Sequence, residues 1–249
     1  MPSDPILLLH GQPGSARDWD GVVATLGPGV ETLAIDRPGW DGRREAQGFD
    51  GNAEAALAAL DAAGAERATV VGHSFGAAVA AWLAVRNTDR VSALVLIAPA
   101  VNEESLYRID RWLAAPVFGE LASAAAMSGA GATLTAAPLR RRIAGEFGLD
   151  EGYLAGASRR LLDPRRWRAF ADEQRTLIRE LPVLERRLPE IGAPTTIVAG
   201  TSDRLIPRRS VIQLAVQIPG AEVRWVERAG HLLPLQRPRA VAGILLEAS

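Results

Sequence analysis

The sequence predicts an α/β fold built on a mostly parallel β-sheet, and three observations indicate it. Short apolar runs alternate with longer segments of helical spacing, in units of about thirty residues. The apolar runs are continuous, which is typical of strands buried on both faces of a parallel sheet. Glycine, proline and aspartate cluster where several of these runs end. We therefore expect right-handed crossovers, with helices on both faces of the sheet.

The composition suits one globular core that carries an inserted segment. The chain has 249 residues, of which 48% are hydrophobic. Its 28 basic residues, all arginine, nearly balance 29 acidic residues, so we expect neither nucleic acid nor a membrane as a partner. The sequence contains no cysteine, which excludes a thiol nucleophile. No leader-like apolar segment opens it, so we expect a cytoplasmic protein.

Six strands are predicted, with helices between most of them. The strands cover residues 5–10, 30–36, 68–71, 91–98, 194–199 and 221–226. The helices cover residues 19–26, 52–63, 77–86, 208–217 and 235–247, and Asn52 is expected to cap the second of them.

Between the fourth and fifth strands the alternation stops, and residues 101–189 show helical spacing only. This stretch holds 14 of the 28 arginines together with 12 carboxylates. A charged helical stretch without strands is typical of a solvated lid over a sheet. We therefore assign residues 1–100 and 190–249 to an α/β core and residues 101–189 to a helical cap. Residues 128–131, Ser-Gly-Ala-Gly, are expected to break a helix within it.

The pentapeptide Gly72-His73-Ser74-Phe75-Gly76 follows the third strand directly and precedes a helix. A sharp strand-to-helix turn strains the residue at its tip and points that side chain out of the sheet, and glycines on either side relieve collisions. The motif therefore indicates a nucleophile elbow with Ser74 at its tip. The competing interpretation is an ordinary helix that Ser74 caps.

Three residues with complementary chemistry follow three different strands. Ser74 needs a base to become a nucleophile, His231 is suited to be that base, and Asp203 is suited to orient the imidazole. All three are expected at the carboxyl edge of the sheet, where chemistry is found in such folds. Glu103 or Glu104 is the competing acid. His10 and His73 are expected to be structural, with His73 pointing away from the site.

These motifs together resemble the α/β-hydrolase fold superfamily. The resemblance runs from about residue 6 to the last helix and rests on residues 10–14 (His-Gly-Gln-Pro-Gly), 72–76, 200–203 (Gly-Thr-Ser-Asp) and 229–231 (Ala-Gly-His). It implies Ser74 as nucleophile, Asp203 as acid and His231 as base. It also implies that the backbone N–H groups of Gln12 and Phe75 form an oxyanion hole. By itself, the 10–14 stretch indicates either an anion-binding loop or a plain turn.

The expected function is hydrolysis of a carboxylic ester through an acyl-enzyme on Ser74, without a cofactor or metal and with a small apolar substrate. The alternatives are a C–C bond hydrolase, a perhydrolase or a lyase with the same triad, and a slow-turnover receptor on the same fold. Five aromatic residues of the cap are candidates either for the pocket or for the core: Trp112, Phe118, Tyr153, Trp167 and Phe170. The arginine-rich runs 140–142 and 165–168 are expected to be solvated helix faces, with binding of an acidic substrate as the alternative.

Overall fold

Six strands form one parallel β-sheet at the centre of the fold. The computed structural model describes residues 4–248. The strands are β1 (Ile6–Leu9), β2 (Thr32–Ile35), β3 (Ala68–His73), β4 (Val91–Ile97), β5 (Thr195–Gly200) and β6 (Glu222–Val226). Their spatial order is β2-β1-β3-β4-β5-β6, and all neighbours run parallel. The predicted six-stranded parallel sheet is confirmed.

The register of the sheet brings the functional loops to one edge. Leu9 pairs with Gly72, and Gly72 pairs with Leu96. On the other side of the sheet, Gly200 pairs with Val226. Because parallel strands end on the same side, the loops after β1, β3, β5 and β6 meet at that edge.

Helices cover both faces of the sheet, as predicted. In the described residues they are α1 (Asp20–Leu26), α2 (Phe49–Ala62), α3 (Phe75–Arg86), α4 (Arg108–Leu113), α5 (Phe118–Thr135), α6 (Ala137–Phe147), α7 (Glu151–Leu161), α8 (Pro164–Arg187), α9 (Arg208–Gln217), α10 (Leu233–Gln236) and α11 (Pro238–Ala248). Leu60, Leu83 and Leu214 anchor α2, α3 and α9 in the apolar core on one face. Val22 and Val241 anchor α1 and α11 in the core on the other.

The second helix begins before the predicted cap, so the prediction for Asn52 was wrong. The helix starts at Phe49, whose N–H donates to Glu180 Oε2 at 2.8 Å. An N-terminal donor is thus satisfied from α8 and needs no local cap. Asn52 is buried inside the helix, where its Nδ2 donates to Gln47 O at 2.8 Å and its Oδ1 accepts from Arg37.

Between β4 and β5, where every residue is described, the chain forms helices and no strand. We call residues 101–189 the helical segment. Its helix α5 is continuous through residues 128–131, so the expected break is wrong. Gly131 instead lets α7 pack closely, because a Cβ there would lie 2.9 Å from Leu162 Cγ. Ser158 Oγ of α7 donates to Gly131 O at 3.0 Å.

The long helix α8 attaches the helical segment to the core. Its residues Leu177, Leu181 and Leu184 are buried in the same apolar cluster as α2 and α3. Glu173, on the same helix, is fully buried and pairs with Arg37 of the loop after β2. Within residues 4–248, no helix has both the length and the apolar character that crossing a membrane requires.

Candidate active site

Ser74 lies at the turn from β3 to α3 in a strained backbone conformation. Its φ of 53° and ψ of −116° are rare for a residue that has a side chain. The turn is held by Ser74 N, which donates to Ile97 O at 2.9 Å, and by Ser74 O, which accepts from Ala77 N at 3.0 Å. Ser74 occupies the N-cap position of α3, but in the described chain its hydroxyl accepts no helix N–H. This geometry favours the elbow over the simple cap.

The glycines of the motif have distinct roles. A Cβ on Gly72 would lie 2.2 Å from Gly76 O, so Gly72 makes room across the turn, as the sequence predicts. A Cβ on Gly76 would lie 2.4 Å from Leu9 O. Gly76 therefore makes room for the end of β1, next to the loop that carries Gln12.

His231 and Asp203 lie together at the ends of β6 and β5. His231 Nδ1 donates to Asp203 Oδ2 at 3.0 Å. With its hydrogen on Nδ1, a neutral imidazole keeps Nε2 as a proton acceptor. Burial by itself raises the pKa of Asp203, but the hydrogen bonds from His231 and from the N–H groups of Ile206 and Leu205 outweigh it. The pKa of Asp203 is therefore below its ordinary value of 3.8.

Gly200 brings the loops of these two residues together. A Cβ at Gly200 would lie 2.2 Å from Ala229 O, and Ser202 N donates to the same carbonyl at 2.9 Å. The competing acids lie elsewhere, because Glu104 pairs with Arg209 and Glu103 is exposed. The fold thus brings Asp203 to His231, and neither of the competing glutamates.

Two backbone N–H groups beside Ser74 have no acceptor among the described residues of the chain. Phe75 is the first residue of α3, where an N–H has no partner within the helix. Gln12 follows Gly11, and a Cβ on Gly11 would lie 3.1 Å from Ser74 Cβ. Neither the Gln12 N–H nor the Phe75 N–H forms a hydrogen bond within residues 4–248. Both are available to a ligand at Ser74.

His73 faces the site, contrary to the prediction that it points away. Its ring centroid lies 5.0 Å from that of His231, and its Nε2 donates to the His231 carbonyl at 2.9 Å. Gly11 leaves room for the ring, because a Cβ there would lie 2.8 Å from His73 Nδ1. Burial, reinforced by the neighbouring His231, lowers the pKa of His73 to about 3. A neutral His73 thus fixes the His231 backbone, which is a structural role.

A cavity of about 300 Å³ lies beside these residues. Gly11, Gln12, His73 and His231 line it from the core. The helical segment contributes six apolar or aromatic side chains and two arginines. They are Met127, Leu134, Tyr153, Leu154, Ala157, Leu161, Arg160 and Arg166. A small apolar space with a few polar groups is the usual form of a ligand site.

The cavity also contains a charged group that sequence reasoning missed. Asp18 is buried in the wall and accepts from Tyr153 OH at 2.9 Å and Ser15 Oγ at 3.2 Å. Burial raises the pKa of Asp18 to about 6, although those hydrogen bonds and the charge of Arg160 oppose the shift. No motif in the sequence marks Asp18, which follows residues 10–14 without a recognisable pattern.

The structure separates the aromatic and arginine candidates of the helical segment into residues that line the cavity and residues that do not. Of the five aromatic residues, only Tyr153 lines the cavity. Trp112 and Phe118 are exposed. Trp167 and Phe170 pack against a small buried cluster formed by Trp40, Met127 and Ala169. Most of the arginine-rich runs is exposed or half-buried at the surface, but Arg166 lines the cavity, and burial lowers its pKa. In residues 4–248, no group of three or more His, Asp or Glu residues is placed to hold a metal ion.

The fold and this edge define the class of protein. The sequence matches the alpha/beta hydrolase family over residues 6–244, and the chain belongs to that family. Lipase LipV of Mycobacterium tuberculosis (strain ATCC 25618 / H37Rv) is 32% identical over 98% of this chain and 93% of its own length. A 2-hydroxy-6-oxononadienedioate/2-hydroxy-6-oxononatrienedioate hydrolase 2 of Pseudomonas putida is 26% identical over 92% of this chain and 82% of its own length.

A solved structure supports the same fold. The enol-lactonase from Burkholderia xenovorans LB400 superposes with a TM-score of 0.75 at 20% identity, over 98% of this chain and 91% of that one. At that identity the likeness shows the fold alone. The family and its relatives support a hydrolase, and they include both lipase and C–C hydrolase names.

Proposed function

We propose that this hydrolase cleaves a carboxylic ester through an acyl-enzyme on Ser74. The observation that carries the proposal is the hydrogen bond from His231 to Asp203, at the sheet edge where the strained turn presents Ser74. In this proposal Asp203 fixes the hydrogen of His231 on Nδ1, so that Nε2 takes the proton of the Ser74 hydroxyl. Ser74 Oγ then attacks the ester carbonyl carbon.

The proposed oxyanion hole uses the two free N–H groups. As Ser74 attacks, negative charge develops on the carbonyl oxygen, and the N–H groups of Gln12 and Phe75 are available to receive it. The imidazolium then gives its proton to the leaving alcohol. Water, deprotonated by His231, hydrolyses the acyl-enzyme and restores Ser74.

We further propose that the helical segment is a cap that selects the substrate. It supplies most of the apolar lining of the cavity, and the volume of about 300 Å³ suits a small acyl or alcohol group. The substrate class that fits best is therefore a compact, mostly apolar ester.

Labelling with a fluorophosphonate, followed by assays on a series of aryl esters of increasing acyl length, tests this function. We expect label on Ser74 and steady multiple turnover. Ser74→Ala and His231→Ala should each lower kcat about 10⁶-fold, since neither residue acts alone.

Ser202→Ala is the matched control, because Ser202 lies exposed in the loop beside Asp203. It should keep wild-type activity. Retention of most activity in Ser74→Ala or His231→Ala would contradict the proposal, and one burst without turnover would indicate a receptor.

C–C bond hydrolysis is the second candidate, and a specific feature favours it. Arg160 and Arg166 of the helical segment line the cavity, and the names of relatives such as the Pseudomonas putida enzyme denote dicarboxylate substrates. An arginine is well suited to hold a carboxylate. If a vinylogous dicarbonyl acid is cleaved with a higher kcat/KM than any aryl ester, this candidate replaces ester hydrolysis. No observation favours a perhydrolase or a lyase.

A further inference from the structure

We infer that Arg37, held by Glu173 of α8, is a positioning residue that orients the Gln12 N–H toward Ser74. The inference rests on the proposed function, in which that N–H is an oxyanion donor. It also makes the helical segment part of the support of the oxyanion site, through a contact that lies outside the substrate cavity.

Two donors hold the peptide unit that joins Gly11 to Gln12. Its carbonyl, Gly11 O, accepts from Arg37 Nη2 at 3.0 Å and from His10 Nδ1 at 2.7 Å. The bond is trans, and in a trans peptide the carbonyl and the N–H point in opposite directions. Donors that fix Gly11 O on one side therefore fix the direction of the Gln12 N–H on the other.

His10 is buried and acts together with Arg37. The Arg37 backbone N–H donates to His10 Nε2 at 3.1 Å. The hydrogen of the neutral ring must therefore lie on Nδ1, which makes Nδ1 a donor to Gly11 O. Burial, together with the charge of Arg37, lowers the pKa of His10 and keeps the ring neutral.

The guanidinium of Arg37 is held by several partners at once. Its Nε donates to His10 O at 2.9 Å and its Nη1 to Asn52 Oδ1 at 3.2 Å. Its Cζ lies 4.6 Å above the centre of the Phe75 ring, which belongs to the residue that carries the other proposed donor. The guanidinium thus contacts the Phe75 ring and the carbonyl of the peptide that carries the Gln12 N–H.

Glu173 balances the charge on Arg37. Both side chains are essentially inaccessible to water, and Glu173 accepts from two guanidinium nitrogens of Arg37. Trp40 Nε1 also donates to Glu173 Oε1, at 2.9 Å. An arginine at this depth without a partner would be strongly unfavourable. Glu173 is therefore what allows a full positive charge to rest behind the Gly11 carbonyl.

Placing a cation on a carbonyl oxygen also strengthens the N–H of the same peptide as a donor, because hydrogen bonds in series polarise one another. Arg37 and Glu173 would thus raise the affinity of the site for the transition state more than for the substrate. If Arg37 and Glu173 contributed only to stability, replacing either would not change the affinity for the transition state relative to the affinity for the substrate.

The sequence offers a direct probe, because Gly11-Gln12 is its only Gly-Gln pair. Labelling glycine with carbonyl ¹³C and glutamine with ¹⁵N gives a single carbonyl-coupled amide resonance, which reports on this peptide alone. We expect that resonance to shift in Glu173→Gln and in Arg37→Lys. The resonance should not move in Asp172→Asn, which alters the residue directly before Glu173 in α8 and its surface pair with Arg175.

Kinetics of the same variants give the second readout. Loss of one oxyanion donor costs about 10² to 10³-fold, so a misdirected donor should lower kcat by about 10-fold or more while KM changes little. Affinity for a trifluoromethyl ketone, which forms a tetrahedral adduct with the nucleophile, should fall in parallel with kcat. Glu173→Gln keeps the shape of the side chain and an acceptor oxygen, and Arg37→Lys keeps the positive charge. If one of these variants does not fold, the other still tests the positioning role.

The two proposals fail in different ways. An unchanged Gly11-Gln12 resonance in folded Glu173→Gln and Arg37→Lys would overturn the positioning role, whatever happens to activity. A loss that falls on KM, with ketone affinity unchanged, would overturn it as well. Absence of label on Ser74 in the wild type would instead overturn the proposed function, while the resonance still shows whether Arg37 holds the peptide.

Discussion

The strand ends and the helical segment contribute to the same cavity by different physical means. At the strand ends, Ser74 and Asp203 are held by backbone hydrogen bonds and by glycines that leave no room for a Cβ. In the helical segment, Glu173 and Tyr153 reach the core through their side chains alone. The strand ends thus form an arrangement fixed by the backbone, and the helical segment is attached by side chains, which include the buried leucines of α8.

The two side-chain contacts also differ from each other. Glu173 meets a cation and is enclosed, whereas Asp18 meets only neutral donors in direct hydrogen bonds and borders the cavity. We conclude that changes at the strand ends, or at Glu173 behind the Gly11-Gln12 peptide, should affect the chemical step, and that changes at the contact of Asp18 with Tyr153 should affect stability and binding.

After loss of the nucleophile or the base, the largest effect is expected from Asp203→Asn, which acts at the strand ends. An amide cannot hold the hydrogen of His231 on Nδ1 as a carboxylate does, so kcat should fall about 10⁴-fold. Because the pKa of Asp203 is below its ordinary value, the carboxylate stays ionised above about pH 4. The loss should therefore be present at every pH from about 5 to 9, measured with the best aryl ester.

Glu104→Gln is the matched control for that change, because Glu104 was the competing acid and pairs with Arg209 instead. It should keep wild-type kcat. If Glu104→Gln reduced kcat as much as Asp203→Asn, the assignment of the acid would be wrong.

This contrast also explains what the sequence could predict. The sheet and the turn around Ser74 follow from short-range rules, since a buried strand needs an apolar run and the turn needs Gly72. The acid and base follow from their places after β5 and β6. These constraints act within a few residues, and they are visible in the order of the chain.

The missed residues depend on contacts between distant parts of the chain. Glu173 lies 136 positions from Arg37, and Tyr153 lies 135 positions from Asp18. Which arginine of a charged helix turns inward depends on how the helix docks, so Arg166 is indistinguishable in the sequence from its exposed neighbour Arg165. The start of α2 was misplaced for the same reason, because its first N–H is satisfied by Glu180 of α8.

The next effect in size concerns Asp18, and it depends on pH. A carboxyl whose pKa is raised from 3.8 to about 6 on folding binds its proton more tightly in the folded state. Folding stability is therefore lost as pH rises through this range, and the full cost, up to about 3 kcal/mol, is present above about pH 6. Asp18→Asn keeps an acceptor for Tyr153 and removes this cost.

Denaturant unfolding at pH 4, 6 and 8 measures the difference. Asp18→Asn should be more stable than the wild type at pH 8, and this advantage should shrink toward pH 4. Asp20→Asn is the control, because Asp20 is exposed and pairs with Arg17 at the surface. A constant difference at all three pH values would show that burial does not raise the pKa of Asp18.

The smallest effect is expected from Tyr153→Phe, which removes one hydroxyl between the segment and the core. A hydrogen bond to a charged group contributes about 1.5 to 3 kcal/mol and one to a neutral group about 1. The Tyr153 hydroxyl lowers the pKa of Asp18, so the free energy of unfolding should fall more at pH 8 than at pH 5. In the Asp18→Asn background the loss should become independent of pH.

The sequence contains only two tyrosines, so Tyr107→Phe is a natural control. Tyr107 is exposed, and its hydroxyl donates a long hydrogen bond of 3.4 Å to Arg204 O. Tyr153→Phe should change KM more than kcat, because Tyr153 lines the cavity wall and not the edge that bears Ser74. If instead kcat fell with KM unchanged, Tyr153 would take part in the chemical step, and the division between this contact and the strand ends would fail.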